Sequence, residues 1–215
     1  VYDHLYDYRD RINHILTRHE QGAAHAAQGY ARVTGKVGVC MSTSGPGATN
    51  LVTGIADAML DSTPLVCITG QVPAGILGTD AFQEADLISM TMPVTKWNSQ
   101  VTSAREIAPA IAKAFYIARS GRPGPVLIDI TKNAQVEEVD YAYKPCLGLR
   151  SYNPTPVLDA GAAAKALEMI NAADRPLLLV GQGVTLSGWE KSQWQFADTG
   201  NISIASTVLG LQALP

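Results

Sequence analysis

One carboxylate, Glu20, stands at the start of an Ala-rich segment, where its type and position suit acid–base chemistry. Residues 21–34 are mostly small, and Gly35 follows where a helix would end in a left-handed conformation. A helix dipole favours a first-turn carboxylate by about 0.3–1 kcal/mol, whereas full burial raises its pKa by about 3–5 units. A buried Glu20 therefore needs a hydrogen-bond partner. An exposed Glu20 would be an ordinary first-turn acid.

Two polar groups follow strand-like apolar segments. Residues 44–49, SGPGAT, come after the apolar run 36–42 and form a predicted tight turn that leads to Asn50. The second group lies in the loop 71–84, after the apolar run 64–70, and comprises Thr79, Asp80, Gln83 and Glu84. Open α/β sheets bind ligands beyond the carboxyl ends of their strands. The sequence therefore predicts polar side chains gathered at such an edge.

The generic catalytic motifs do not occur. The turn Gly45-Pro46-Gly47 lacks the Lys-Ser/Thr of a phosphate loop, the GxGxxG pattern is incomplete, and no GxSxG elbow surrounds Ser44. The four histidines, which lack the spacing of metal ligands, are His4, His14, His19 and His25. We therefore predict no metal site within this chain.

The composition indicates a globular protein with a substantial core. Of 215 residues, 47% are hydrophobic and 16% are charged, and the net charge is −3, which provides no basic field for nucleic acid or an acidic membrane. No apolar run is long enough for a membrane helix, and no signal peptide is visible. The three cysteines, predicted to be thiols of a reducing compartment, are Cys40, Cys67 and Cys146.

Alternating strand and helix patterns predict an α/β fold with a doubly wound parallel sheet. Residues 1–17 have helical spacing and end in a predicted short strand before Arg18. The other predicted helices cover 21–34, 50–60 and 104–120, and the predicted strands cover 36–42, 64–70, 93–98 and 120–130.

A change in amino-acid composition after residue 131 predicts a second, incomplete α/β domain. We place the first domain at 1–134, a proline-rich and acidic linker at 135–157, and the beginning of the second domain at 158–215. The elements predicted there are a helix at 158–172, a strand at 175–180, a turn at 181–183 and a strand at 202–209.

Five blocks of the sequence strongly resemble the thiamine-diphosphate enzymes of the acetolactate (acetohydroxyacid) synthase family. The blocks are RHEQGAAHAAQGYARVTG, TSGPGATN, ITGQVP, GTDAFQE and SGRPGPVLID. The first, second and last are shared more loosely with pyruvate oxidases, oxalyl-CoA decarboxylases and related carboligases, whereas ITGQVP with GTDAFQE is narrower. The resemblance implies a pyrimidine-binding domain followed by the start of a central domain.

The resemblance also implies roles for individual residues. Glu20 would hydrogen-bond the pyrimidine ring nitrogen and favour the imino tautomer that removes the thiazolium proton. Pro46 would lie against the pyrimidine, Asn50 would support that turn, and Phe82 and Gln83 would border the cofactor and substrate. Taken alone, Pro46 and Asn50 also fit an ordinary strand-to-helix turn with a cap.

The resemblance also implies, from less specific matches, a channel to the active site and an FAD site. The channel positions are Pro73, Ala81, Phe82, Lys96 and Lys132. The FAD positions are Arg122, Gly183, Thr207 and Val208. Taken singly, each lysine would be a solvated surface charge.

By the same resemblance, the complete enzyme would decarboxylate pyruvate and condense the hydroxyethyl carbanion with pyruvate or 2-oxobutyrate. Mg²⁺ would be held by a domain with a GDG…N pattern that this chain lacks, FAD would be structural, and the fragment alone would be inactive. The expected partners are a second copy, as a homodimer or homotetramer, and a regulatory small subunit, in bacterial cytoplasm or an organelle. Another thiamine-dependent oxidase, decarboxylase or carboligase, or a non-catalytic α/β module, remains open.

Overall fold

The computed structural model describes residues 1–214, which divide into two compact units, Val1–Pro156 and Val157–Pro215. The strands of the larger unit are β1 (Gly38–Ser42), β2 (Leu65–Gln71), β3 (Trp97–Val101) and β4 (Pro125–Thr131). Its helices are α1 (Tyr2–Asp7), α2 (Glu20–Thr34), α3 (Pro46–Thr49), α4 (Val52–Leu60), α5 (Leu87–Thr91) and α6 (Ala104–Arg119), with short 3₁₀ helices at Ala74–Ile76 and Met92–Val94.

The four strands form one parallel sheet in the order β1-β2-β4-β3. The side chains of the sheet alternate between two apolar layers. On one face Cys67 and Leu127 pack with Ile55 of α4 and with Leu51, which directly precedes that helix, and the other face packs against α6. The predicted doubly wound α/β sheet is confirmed.

Helix α2 begins and ends as the sequence predicts. The His19 imidazole accepts a hydrogen bond from the Gln21 N–H at its Nδ1, at 3.1 Å, and so caps the helix. Gly35 ends the helix at φ 68°, a conformation that a residue with a Cβ rarely adopts. Glu20 is therefore the first helical residue.

Helices α2 and α4 cross at a contact that only glycine permits. A Cβ built on Gly54 would lie 2.5 Å from the Ala24 Cβ. The buried Gln28 amide donates to the Gly54 carbonyl at 2.7 Å, and both Gly54 and Ala24 are buried. Close backbone approach fixes α2 over the sheet, and with it the position of Glu20.

Two sequence predictions in the larger unit are wrong. Residues 13–17 form no strand, and the helical spacing of the first 17 residues gives only α1. The strand predicted at 93–98 lies later, as β3, because Pro93 sits in a 3₁₀ helix and the Lys96 N–H is the first to reach β4, at the Pro125 carbonyl. The turn predicted at 44–49 contains the single helical turn α3.

The smaller unit pairs two parallel strands, β5 (Leu177–Val180) and β6 (Ser203–Ser206). Its helices are α7 (Ala160–Ala172), α8 (Gln182–Ser187) and α9 (Glu190–Gly200), with a 3₁₀ helix at Val208–Ala213. The strand predicted at 202–209 is thus shorter, and the turn predicted at 181–183 runs directly into α8. None of the helices within residues 1–214 has the length and apolar character that a bilayer crossing requires.

We predict that Gly54→Val destabilises the protein by about 1–3 kcal/mol, because the added side chain overlaps Ala24 and overpacks the helix crossing. Gly29→Ala is the matched control. Gly29 lies within α2 with open space where its Cβ would be, so this change should stabilise by up to about 1 kcal/mol. Urea unfolding measures both values. Equal destabilisation by the two substitutions would contradict the close-contact explanation.

Candidate active site

The Glu20 carboxylate meets the turn that follows β1. Asn50, directly after α3, donates its side-chain N–H to Glu20 Oε2 at 3.1 Å. Glu20 is half-buried and lies in the wall of a cavity of about 710 Å³. Thirty residues apart in sequence, the acid and the amide are thus brought together at the carboxyl end of β1.

The second Glu20 oxygen lies beside Gly47, a buried glycine at a tightly packed point of the turn. A Cβ on Gly47 would lie 3.2 Å from Glu20 Oε1 and 2.7 Å from Thr43 Cγ2. A side chain at this position would therefore cover the carboxylate. Pro46, next in the turn, is exposed and begins α3. The turn thus presents the exposed Pro46 next to an acid, while its two glycines are buried.

Hydrogen bonding lowers the pKa of Glu20 below its ordinary value. The Asn50 donor is the largest cause, and the backbone N–H of Glu20 adds to it. Burial acts in the opposite direction but is the weaker effect, because the carboxylate is only half-buried. Asn50 thus provides the hydrogen-bond partner that a buried Glu20 would need.

The loop between β2 and α5 holds a preformed tip beside the same turn. The Glu84 carboxylate accepts hydrogen bonds from the N–H groups of Gly78 and Ala81, and these bonds hold the pKa of Glu84 below its ordinary value. Phe82 at the tip is 89% exposed. A Cβ on Gly45 would lie 2.9 Å from the Gln83 Cα, so the tip packs directly on the glycine turn.

Glu84 holds the loop tip together, although the sequence assigns it no individual role. The sequence shows it within a polar cluster, but its partners are backbone groups, which leave no mark in a sequence. The remaining loop position, Pro73, precedes the 3₁₀ helix, and the next amide, of Ala74, is held by Asn133 Oδ1 at 2.9 Å.

Lys96 and Arg122 lie at the opposite edge of the sheet, next to the amino ends of the strands. The Lys96 ammonium donates to the carbonyls of Ile117 and Ser120 at the end of α6. Arg122 donates to Ser62 Oγ at 2.7 Å, just before β2. Both cations therefore stabilise the fold, whereas the exposed Lys132 follows β4 at the carboxyl edge.

In the smaller unit, the turns after β5 and β6 are neighbours. The Thr207 N–H donates to the Val180 carbonyl at 2.9 Å, and its hydroxyl accepts from the Gly210 N–H and so caps the 3₁₀ helix. Gly183 is exposed within α8, and Val208 is 83% exposed. The three predicted FAD residues, Gly183, Thr207 and Val208, thus lie near the carboxyl ends of two parallel strands.

Two family profiles match the chain. The thiamine pyrophosphate enzyme, N-terminal TPP binding domain profile matches residues 1–90, and the thiamine pyrophosphate enzyme, central domain profile matches residues 163–215. Together they cover well over half of the chain, in the order that the sequence blocks imply.

Individual proteins are similar to this chain over nearly its whole length. The chain is 51% identical to the acetolactate synthase large subunit of Corynebacterium glutamicum over all of its length, and 46% identical to a probable acetolactate synthase large subunit of Methanocaldococcus jannaschii. It spans only 34% and 36% of these relatives. A solved structure from Mycobacterium smegmatis, described as a thiamin diphosphate-dependent enzyme, matches 95% of this chain and 39% of its own, with a TM-score of 0.79 and 26% identity.

We predict that Asn50→Ala raises the pKa of Glu20 towards its ordinary value, because the principal donor to its carboxylate is lost. A carboxyl with a lowered folded-state pKa adds stability above its unfolded pKa and loses it as the pH falls through the folded value. The variant should therefore lose stability at neutral pH and converge with the parent in acid. Carbon-detected NMR titration of the Glu20 carboxyl measures the shift.

Thr49→Ala is the control for this titration, because the Thr49 hydroxyl bonds to the Pro46 carbonyl in the same turn. This substitution should leave the pKa of Glu20 unchanged. The same upward shift in both variants would show that the turn as a whole, rather than the Asn50 donor, lowers the Glu20 pKa.

We further predict that Lys96→Met destabilises the protein by about 1–3 kcal/mol, since the carbonyls at the end of α6 lose a charged donor. Lys132→Met, at an exposed position, should change stability by less than about 0.5 kcal/mol. Thermal unfolding of both variants provides the comparison. An unchanged melting temperature for Lys96→Met would rule out the helix-end role.

Proposed function

Because this chain belongs to the thiamine pyrophosphate enzyme family, we propose that it forms the pyrimidine-binding part of the active site of an acetolactate synthase large subunit. The contact that carries the proposal is the hydrogen bond from Asn50 to the Glu20 carboxylate, in the wall of the cavity beside the glycine turn. The identity to acetolactate synthase large subunits along the whole chain supports this choice within the family.

The residues present fit a flat heterocycle. An aminopyrimidine offers a ring nitrogen to an acid and a face to a nonpolar surface. Glu20 Oε1 lies beside Gly47, and the residue before that glycine, Pro46, is exposed. When bound, thiamine diphosphate supplies the carbanion chemistry by which 2-keto acids are decarboxylated.

Within that site we assign the roles as follows. Glu20 holds or releases a proton at the pyrimidine nitrogen, as a general acid–base group. Asn50 orients the carboxylate through Oε2, so that Oε1 faces the turn. The proline and glycines of the turn admit the ring at close range, and no chemical step is assigned to them.

The substrates we propose are pyruvate, as the decarboxylated keto acid, and pyruvate or 2-oxobutyrate as acceptor. Phe82 and Gln83 would border the acceptor, since the loop tip packs on the glycine turn and Phe82 is exposed. Pro73, Ala81 and Lys132 would line the approach at the same edge of the sheet.

A complete site needs groups beyond this chain. We propose that Mg²⁺ and the diphosphate bind in a further domain of the protein. FAD would bind, in a structural role, near Gly183, Thr207 and Val208. The turns after β5 and β6 support the FAD proposal, because ligands collect at the carboxyl ends of parallel strands.

We also propose that the active protein is a homodimer or a homotetramer. Lys96 and Arg122 lie at the amino edge of the sheet, whereas Glu20 lies at the carboxyl edge. A site that uses both groups would therefore draw them from two copies. A regulatory small subunit and a cytoplasmic location complete the proposal.

A second candidate activity is that of another thiamine-dependent oxidase, decarboxylase or carboligase. The two matching profiles describe thiamine pyrophosphate enzymes in general and therefore fit this activity equally well. Product analysis of the full-length protein with pyruvate separates the two. Acetolactate supports the proposed function, whereas acetaldehyde or acetyl phosphate in its place would favour the alternative.

We predict that Glu20→Gln in the full-length protein lowers kcat for acetolactate formation by at least about 100-fold, because the amide cannot exchange a proton with the pyrimidine. Glu168→Gln, the same change at an exposed position of α7, should leave the rate unchanged. Stopped assays of acetolactate measure both. An unaltered rate in Glu20→Gln would favour the non-catalytic α/β module, and turnover by residues 1–215 alone would contradict the need for a further domain.

A further inference from the structure

A carboxylate, Asp129, is buried at the centre of β4 among neutral donors. The register of the parallel strands places Thr69 of β2 and Gln100 of β3 on either side of it, so that the three form one row across the sheet. Thr69 donates to Oδ1 at 2.6 Å, and Gln100 donates to Oδ2 at 3.2 Å. Burial raises the pKa of Asp129, and these donors oppose the shift.

The third donor to Asp129 connects it to the neighbouring loop. Gln71, the last residue of β2, lies two residues beyond Thr69 and therefore on the same face. Its Nε2 donates to Asp129 Oδ2 at 3.0 Å and to the Ala85 carbonyl at 2.8 Å, while its Oε1 accepts from the Val72 N–H at 2.9 Å. The amide thus bonds to both ends of loop 72–86.

Asp129 determines which way the Gln71 amide faces. An ionised carboxylate only accepts hydrogen bonds, so Gln71 must turn its NH₂ group towards Asp129. The amide oxygen then points to Val72, and the second N–H points to Ala85. Without this acceptor, the buried amide could reverse and leave the loop carbonyl without its donor.

The loop tip depends on a fixed base. Asp80 and Gln83 both have a positive φ, of 57° and 60°, which non-glycine residues adopt only where the surroundings impose it. Within the tip, the Glu84 carboxylate accepts hydrogen bonds from backbone N–H groups, and on its outer side Gln83 packs against Gly45. Both contacts require the two ends of the loop to stay in place.

We propose that Gln71, oriented by the buried Asp129, is a positioning residue that fixes both ends of loop 72–86 and so holds Gln83 against the glycine turn and the exposed Phe82 at the loop tip. The consequence for catalysis rests on the proposed function, in which this tip borders the substrate. The placement of the loop itself does not depend on that function.

Gln71→Met and Gln100→Met in the full-length protein make a matched pair. Each replaces a glutamine amide by an apolar chain of similar length, and each removes one donor from Asp129 Oδ2. Only Gln71 also bonds to the loop. We expect amide hydrogen exchange of residues 77–86 to accelerate about tenfold in Gln71→Met and to stay near the parent rate in Gln100→Met.

Equal exchange rates of the loop in the two variants, or an unchanged rate in Gln71→Met, would overturn the proposal. Should Gln71→Met fail to fold, Gln71→Ala also removes the donor to Ala85 without placing a second carboxyl group beside Asp129, and the same acceleration is expected. A tenfold acceleration together with a lower kcat/KM for acetolactate formation supports both claims. The same acceleration with unchanged activity supports the positioning role and overturns only the place of this loop in the proposed function.

Discussion

The parallel, in-register pairing of four strands is the constraint on which the site depends. Because every strand runs the same way, the segments that leave β1, β2 and β4 do so at one edge of the sheet. The glycine turn, the loop with Phe82 and the exposed Lys132 are therefore neighbours, although they lie far apart in the chain. The same pairing aligns Thr69, Asp129 and Gln100 in the interior, so it also sets the buried polar row beneath the loop.

Strong local signals made part of this arrangement predictable. The Ala-rich run that ends at Gly35 predicts α2, and the continuous apolar runs predict β1 and β2, because each signal lies within the element that it specifies. The glycine turn at the end of β1 could be predicted for the same reason. These elements carry the Glu20–Asn50 contact, so most of the candidate site was visible in the sequence.

The elements that could not be predicted depend on distant partners. Strand β3 is not apolar, because Asn98 and Gln100 face the interior and bond to α5 and Asp129. Lys96 has the sequence appearance of a surface charge, yet its ammonium binds carbonyls more than 20 residues away. Hydrogen bonds of this kind pair buried polar groups that are distant in sequence, so a local hydropathy pattern cannot reveal them.

On the proposed function, the balance of effects on the Glu20 pKa explains why the acid needs more of its surroundings than this chain provides. An acid–base group works best when its pKa lies near the working pH. In the chain alone, the hydrogen bonds from Asn50 and the backbone lower the pKa of Glu20, and they outweigh burial because Glu20 is only partly buried and remains accessible to water. A ring laid over Gly47 and a second protein surface beyond it would exclude that water, and each unit of upward shift corresponds to about 1.36 kcal/mol. The Asn50 donor then limits how far the shift goes, since it continues to favour the ionised form. On the proposed function, the proton affinity of Glu20 is thus set by two opposing surfaces, of which this chain provides the one that favours the charge.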